Sequence, residues 1–235
     1  MNESQYAGLT GTLFKLFDVD TVDVIDRLKL AMNPLNSREY ITSTLEGSAG
    51  SVLGTKWPDL HGPVWVFYTT LLVLFIATTS GWLFHNADIS YYLSRSGDLL
   101  PGSFAMALFQ FGAPALLWTG IQFMNLSPQL TLAQTLSLFG YANAVWIPIV
   151  IISSIIPHVS SNQVVNLSVG WAVAVIGTIW SSVFVVRNIK RALQLAVEGT
   201  NGGQLKASFS LGFAVLIQFV VGALVQTTVH DTVSS

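Results

Sequence analysis

The chain has 235 residues, of which 51% are hydrophobic and only 9% are charged. A soluble domain carries about 25% Asp, Glu, Lys and Arg, whereas the stretch from Leu99 to Val186 carries none. A water-soluble surface cannot be built from such a stretch, so the composition excludes an ordinary soluble protein and predicts an integral membrane protein. The absence of cysteine excludes disulfides and thiolate metal sites. The formal net charge of -2 matters less than where the charges lie.

The first 62 residues contain one strong pattern, DVDTVDVIDRLKLAMNP. Its apolar side chains recur at the spacing of one helix face: Val22, Ile25, Leu28 and Met32. Acids come first and bases last, as the helix dipole favours: Asp20, Asp23, Arg27 and Lys29. Pro34 follows the last turn. The stretch therefore predicts a short amphipathic helix.

The apolar face of this predicted helix, together with the preceding LFKLF, is larger than an isolated helix can hide. It could pack on the protein's own loops, on a lipid surface or on a protein partner. The lipid surface is disfavoured, because four aspartates would be repelled by anionic lipid: Asp18, Asp20, Asp23 and Asp26. Residues 37–55, rich in Ser, Thr and Gly, predict a flexible tether.

The stretch WPDLHGPVW leads into the first long apolar segment. Pro63 suits a first helical turn, Gly62 allows a sharp entry, and Asp59 faces the positive end of the predicted helix. His61 could be a ligand or a pH-responsive group, but an interfacial histidine is more often structural. On mechanics alone, the stretch predicts the start of a membrane helix.

Five charge-free apolar segments follow, at residues 64–84, 103–124, 132–156, 164–186 and 207–229. Each is long enough to cross a hydrocarbon core of about 30 Å as a helix that rises about 1.5 Å per residue. Backbone groups in lipid must pair within their own segment, so the segments are predicted to be helices. The fold class is therefore an all-α membrane protein with five transmembrane helices. Residues 1–62 form its N-terminal region, 63–229 its membrane domain and 230–235 its tail.

The distribution of basic residues predicts the orientation, because Lys and Arg near the ends of spans stay on the cytoplasmic side. Five crossings place nearly all of them on the side of the N-terminus: Lys15, Arg27, Lys29, Arg38, Lys56, Arg187, Lys190, Arg191 and Lys206. Only Arg95 falls on the other side. The N-terminal region, with its amphipathic helix, is predicted to be cytosolic and the tail lumenal.

Chemistry inside the predicted spans is sparse. They hold no Asp or Glu, and all four histidines fall at predicted membrane edges. The chain also lacks a nucleophile elbow, a phosphate-binding glycine loop and a metal-ligand cluster. An enzyme is therefore not expected, and no catalytic, cofactor-binding or metal-binding residue is predicted.

The polar content of the spans consists of small residues and amides. In the fourth segment, Gly170, Ala174 and Thr178 recur every four residues, which favours close helix packing within one molecule or between chains. The glutamines Gln110, Gln122 and Gln218 could bind neighbouring helices together or line a narrow polar path. A homo-oligomer or hetero-oligomer is thus one of the possibilities.

Three motifs together resemble the Yip/Yif family of Ypt/Rab-interacting membrane proteins. DLHGPVW resembles the family's D-L-x-G-P motif, and FGYANAVWIPIVIISSIIP its G-Y motif before an intramembrane proline. FDVDTVDVIDRLKLAMNP is similar to the cytosolic signature of a Golgi branch of the family. The family-motif residues of the membrane domain are Asp59, Leu60, Gly62, Pro63, Gly140, Tyr141 and Pro148. His61 and Ala142 depart from the family pattern, which commonly has Tyr and Ser or Gly there.

The resemblance implies a five-span protein of Golgi and related endomembranes that binds Rab GTPases and other Yip/Yif proteins, and no nucleic acid. The leading hypothesis is a non-catalytic adaptor or scaffold in vesicle traffic. Its partner-binding candidates are Phe17, Asp18, Asp20, Thr21, Asp23, Asp26, Arg27, Lys29, Lys190 and Arg191. A small oligomeric transporter or channel is the alternative, and a membrane-shaping protein is a third possibility.

Overall fold

A computed structural model describes residues 16–33, 35, 40, 58–79, 100–124, 130–159, 162–197 and 202–234. Within these ranges every regular element is helical. The α-helices are α1 (Thr21–Met32), α2 (His61–Thr79), α3 (Leu100–Ala107), α4 (Ala113–Phe123), α5 (Leu132–Ala142), α6 (Trp146–Val159), α7 (Gln163–Val197) and α8 (Gly203–Ser234). Pro34 and, apart from Tyr40, the predicted tether lie outside the described residues.

Four helical segments in the described ranges are long and apolar enough to cross a membrane: Leu100–Phe123, Leu132–Ile156, Gln163–Gln194 and Gly203–Thr228. The prediction of a multi-pass all-helical membrane protein is thereby confirmed. α2 is equally apolar but shorter, with its apolar stretch at His61–Ala77. Residues 80–84 of the predicted first span lie outside the described residues, so the count of five crossings stays a prediction.

Two of the membrane helices are interrupted next to a proline. A π-helical segment, Leu108–Gly112, joins α3 to α4 shortly before Pro114. A 3₁₀ turn, Asn143–Val145, joins α5 to α6 shortly before Pro148. Proline has no N–H to donate and its ring crowds the carbonyl four residues earlier, so the regular helical ladder is disturbed at these points.

The segment formed by α5, the 3₁₀ turn and α6 lies at the centre of the bundle. Tyr141 and Trp146 are fully buried there. α7 and α8 pack along each other and against α6, where Gly222 lies against Thr178 and Trp146. Gly170 likewise faces Gln226. Small residues of the predicted fourth span therefore admit a neighbouring helix of the same molecule.

α1 packs against α5 and the 3₁₀ turn. Arg27, Leu30 and Ala31 form its buried face. The indole N–H of Trp180 in α7 donates to the carbonyl of Met32, with an N–O distance of 3.1 Å. The N-terminal segment thus lies directly on the helices that follow, next to the first residues of α2.

Candidate functional site

The buried carboxylate of Asp59 is the centre of a polar cluster at the start of α2. Its Oδ1 atom accepts hydrogen bonds from the backbone N–H groups of His61 at 2.7 Å and Gly62 at 3.2 Å. These donors belong to the first turn and have no acceptor within the helix, and the helix dipole favours a negative charge at this end. The Asp59 side chain therefore caps α2.

The other carboxylate oxygen of Asp59 binds side chains from two further elements. Tyr141 of α5 donates its phenolic O–H to Oδ2. Nη1 of Arg27, in α1, lies 3.3 Å from the same oxygen, and the side chains of Arg27 and Asp59 are 3% and 0% exposed. Removing one partner of such a pair leaves a buried charge without a counterion, which is strongly unfavourable. The ion pair therefore holds α1 on the entry of α2.

Arg27 also faces an aromatic ring. Its Cζ atom lies 5.9 Å from the centroid of Tyr40, a distance at which a cation and a ring attract each other. Burial, the largest single influence, lowers the pKa of Arg27, but its polar neighbours, led by Tyr40 and Asp59, together raise that pKa above its ordinary value. The guanidinium accordingly stays charged at any physiological pH.

Tyr40 links the cluster to α7 and α5. Its backbone N–H donates to Oδ1 of Asn188 at 2.6 Å, and the Asn188 amide donates in turn to the carbonyl of Phe184 at 2.7 Å. Its hydroxyl is hydrogen bonded to Ser137, whose own hydroxyl donates to the backbone carbonyl of Asp59. Burial raises the pKa of Tyr40 to about 12, so the phenol is neutral below pH 10.

The two membrane-domain motifs of the sequence pack directly on each other. A Cβ atom added at Gly62 would collide with the hydroxyl of Tyr141, and one added at Gly140 would collide with the ring of Pro63. Glycine fits both positions because a side chain of the facing helix occupies the space where a Cβ atom would lie. The D-L-x-G-P and G-Y motifs are therefore two halves of one contact.

The partner-binding candidates fall into two environments. Most have side chains that are exposed or partly exposed: Phe17, Asp18, Asp20, Thr21, Asp23, Asp26, Lys29 and Lys190. Lys29 pairs with Asp26 at 3.0 Å on this outer side. Arg27 differs, because its side chain is turned inward to Asp59. The side chain of Arg191 lies outside the described residues.

The two departures from the family pattern lie on either side of this cluster. His61 is partly buried, and its ring centroid lies 6.3 Å from that of Trp65. Ala142 is fully buried, and its carbonyl accepts from Ser181 of α7 at 3.4 Å. Ala142 thus contacts α7 through its backbone carbonyl and not through a side-chain hydroxyl.

Sequence reasoning missed Tyr40, Ser137 and Asn188. Tyr40 lies in a stretch whose composition predicts a flexible tether, and no neighbouring residue in the sequence indicates that it is buried. Ser137 carried a usable signal, since it lies four residues before Tyr141 and therefore on the same face of α5. Asn188 stands among basic residues, where an amide gives no signal of burial.

The contacts of this cluster are those of a structural site that joins several segments of the chain. Three hydrogen-bond donors engage the Asp59 carboxylate, namely two backbone N–H groups and one phenol, and the guanidinium of Arg27 forms an ion pair with it. A buried carboxylate whose two oxygens both accept hydrogen bonds and whose charge is paired is typical of a structural contact. In the described part of the chain, no three His, Asp or Glu side chains come together as a metal site. The arrangement holds α1, Tyr40 and the entry of α2 against α5.

The family model described as Yip1 domain matches residues 49–225, which include both motifs of the contact between α2 and α5. The chain is 27% identical over 174 residues to Protein YIPF1 homolog of Dictyostelium discoideum. That alignment covers 74% of this chain but 44% of the relative, so the chain spans less than half of that protein's length.

A second relative is Protein YIP5 of Schizosaccharomyces pombe, which is 25% identical over 190 residues. This alignment covers 79% of the chain and 68% of the relative. No solved structure matches the chain significantly.

Proposed function

Because this chain belongs to the Yip1 domain family, we propose that it is a non-catalytic membrane adaptor of the Golgi branch that carries the FDVDT motif. It binds Rab-type GTPases and other Yip/Yif proteins during vesicle traffic. Its N-terminus faces the cytosol and its C-terminus the lumen. The family match and the basic residues predicted on one side of the membrane support this assignment.

One observation carries the proposal: the buried pair between Arg27 and Asp59 holds α1 against the membrane domain. Because α1 is held in this way, its exposed surface keeps one position relative to the membrane domain. One edge of α1 carries three acidic side chains, of which Asp20 is exposed and Asp23 and Asp26 are partly exposed. An ordered acidic edge suits a GTPase with a complementary basic surface, because less conformational entropy is lost on binding.

The test is recruitment of purified Rab-type GTPases by the full chain in nanodiscs. We expect the double variant Asp23→Lys and Asp26→Lys to weaken recruitment. Added Lys190→Asp and Arg191→Asp changes should restore it in part, because we propose that the acidic N-terminal region and the basic residues after the fourth span dock on each other. Salt screening limits each pair of exposed charged side chains to about 1 kcal/mol. The loss of recruitment should therefore be moderate, and it should be greater at low salt. Gln204→Lys, at an exposed position on α8, is the matched control. Recruitment unchanged by the first double variant would refute the proposal.

A second candidate, a small oligomeric transporter or channel, is favoured by buried amides in the bundle. Nδ2 of Asn143 lies 3.5 Å from Oε1 of Gln110, and both side chains are buried beside the proline-associated breaks. Gln122, by contrast, is exposed and lies outside this group. Solute flux into liposomes that contain only this purified chain would favour the second candidate over the adaptor.

A further inference from the structure

α1 turns several large apolar side chains away from the protein. Val22 is 68% exposed, Ile25 45% and Met32 41%, and Phe17 and Leu35 extend this surface at the two ends. The apolar stripe expected from the sequence is therefore mostly outward, and the buried face of α1 is a different one. No described residue buries any of these five side chains.

The charges of α1 are not spread evenly around this stripe. At about 100° per residue, Leu28, Met32, Ile25 and Val22 fall within an arc of roughly 120°. Asp20 and Asp23 lie on the opposite part of the helix. Asp26 is at the margin, where it pairs with Lys29 at 3.0 Å. Within α1 the stripe thus includes one cation and no carboxylate, so three of the four aspartates that disfavour a lipid surface, Asp20, Asp23 and Asp26, do not lie on it.

The position of Met32 places the stripe next to the membrane. Its carbonyl accepts from the indole of Trp180, which belongs to the membrane-crossing segment Gln163–Gln194. Ile179 and Val183, beside Trp180, are 49% and 37% exposed on the outer surface of α7. Trp180 precedes Arg187, the first charge after the long apolar run, by about 10 Å of helix. Tryptophan at that depth is typical of the boundary between headgroups and acyl chains.

We propose that α1 lies in the bilayer surface of the leaflet nearest to it, with Val22, Ile25 and Met32 inserted among the lipids. The lipid-facing surface of α7 continues through Trp180 onto this stripe. The aliphatic part of Lys29 lies along the stripe, and its ammonium group reaches the lipid headgroups, as is common for long basic side chains. The stripe of α1 carries no carboxylate, and Asp26 at its margin is paired with Lys29. Lipids of low net charge therefore suit this surface. This inference is independent of the GTPase partner.

The chain has no cysteine, so single spin labels can be placed without changing native thiols. The experiment uses the full chain in phosphatidylcholine liposomes with labels at Val22→Cys, Ile25→Cys or Met32→Cys. Asp20→Cys, on the other side of α1, is the matched control. Collision rates with oxygen, which concentrates in lipid, are compared with those of a water-soluble nickel chelate.

We expect oxygen collisions to exceed nickel collisions several-fold at Val22, Ile25 and Met32, and the reverse at Asp20. All four substituted side chains are exposed, so the variants should keep the thermal midpoint of the parent chain, which verifies folding. Nickel access at all four positions would overturn the proposal. Nickel access that is lost only after a purified GTPase is added would also overturn it, because the stripe would then be a protein-binding surface.

Discussion

At the scale of single residues, Asp59 is the point on which the site depends. One side chain caps α2, accepts from Tyr141 and neutralises Arg27. The sequence indicated the first of these contacts, because a carboxylate just before a helix that starts Gly-Pro is a common pattern. It gave no sign of the other two, since both partners are distant along the chain and their types are common.

Asp59→Asn should separate the cap of α2 from the contacts of the second carboxylate oxygen. Asparagine can still cap α2, but its amide nitrogen takes the place of the oxygen that accepts from Tyr141 and pairs with Arg27, so we expect the free energy of unfolding to fall by about 3 to 5 kcal/mol. Arg27→Met should cost a similar amount, and the double variant markedly less than the sum of the two. Denaturation in lipid-containing micelles measures all three.

Lys29→Met is the control for this cycle, since its pair with Asp26 is exposed and should be worth about 1 kcal/mol or less. Strictly additive losses in the double variant would mean that Arg27 and Asp59 do not stabilise each other.

Gly62→Ala tests the contact between the two motifs. The new methyl group would meet the hydroxyl of Tyr141, and we expect a loss of about 1 to 3 kcal/mol in the free energy of unfolding. Gly120→Ala in α4, where an added Cβ has no atom within 4 Å, should instead be neutral or stabilise by up to about 1 kcal/mol. Equal thermal midpoints for the two variants would contradict the proposed close approach.

At the scale of elements, hydrophobic length predicted the long helices well. The segments predicted at 103–124 and 132–156 coincide closely with Leu100–Phe123 and Leu132–Ile156. Their internal breaks lie shortly before Pro114 and Pro148, and the type of irregularity depends on packing as well as on the missing N–H. The last helix continues to Ser234 and so includes most of the predicted tail.

The inner face of α8 holds two glutamines in contrasting settings. Gln226 lies 3.4 Å from Ser153, whereas neither amide atom of Gln218 has a hydrogen-bond partner among the described residues. A buried unpaired amide costs about 1 to 3 kcal/mol. We therefore expect Gln218→Leu to raise the thermal midpoint and Gln226→Leu to lower it. A lower midpoint for Gln218→Leu would show that its amide is satisfied after all.

At the scale of the whole molecule, composition alone was sufficient to predict a helical membrane protein, because a lack of charge is a property of the entire chain. The way the N-terminal segment packs could not be predicted in this way. A salt bridge between Arg27 and Asp59, or a bond from Tyr40 to Asn188, joins positions that local periodicity does not relate. The motifs identified the family, but only the fold shows that they meet.

α7 runs without interruption from Gln163 to Val197, and it touches the N-terminal segment at two heights, through Trp180 and through Asn188. A displacement of α7 would therefore change its contacts with both Met32 and Tyr40. We expect thicker lipid, or a protein bound at the Gln163 end of α7, to shift α1 through the contact of Trp180 with Met32.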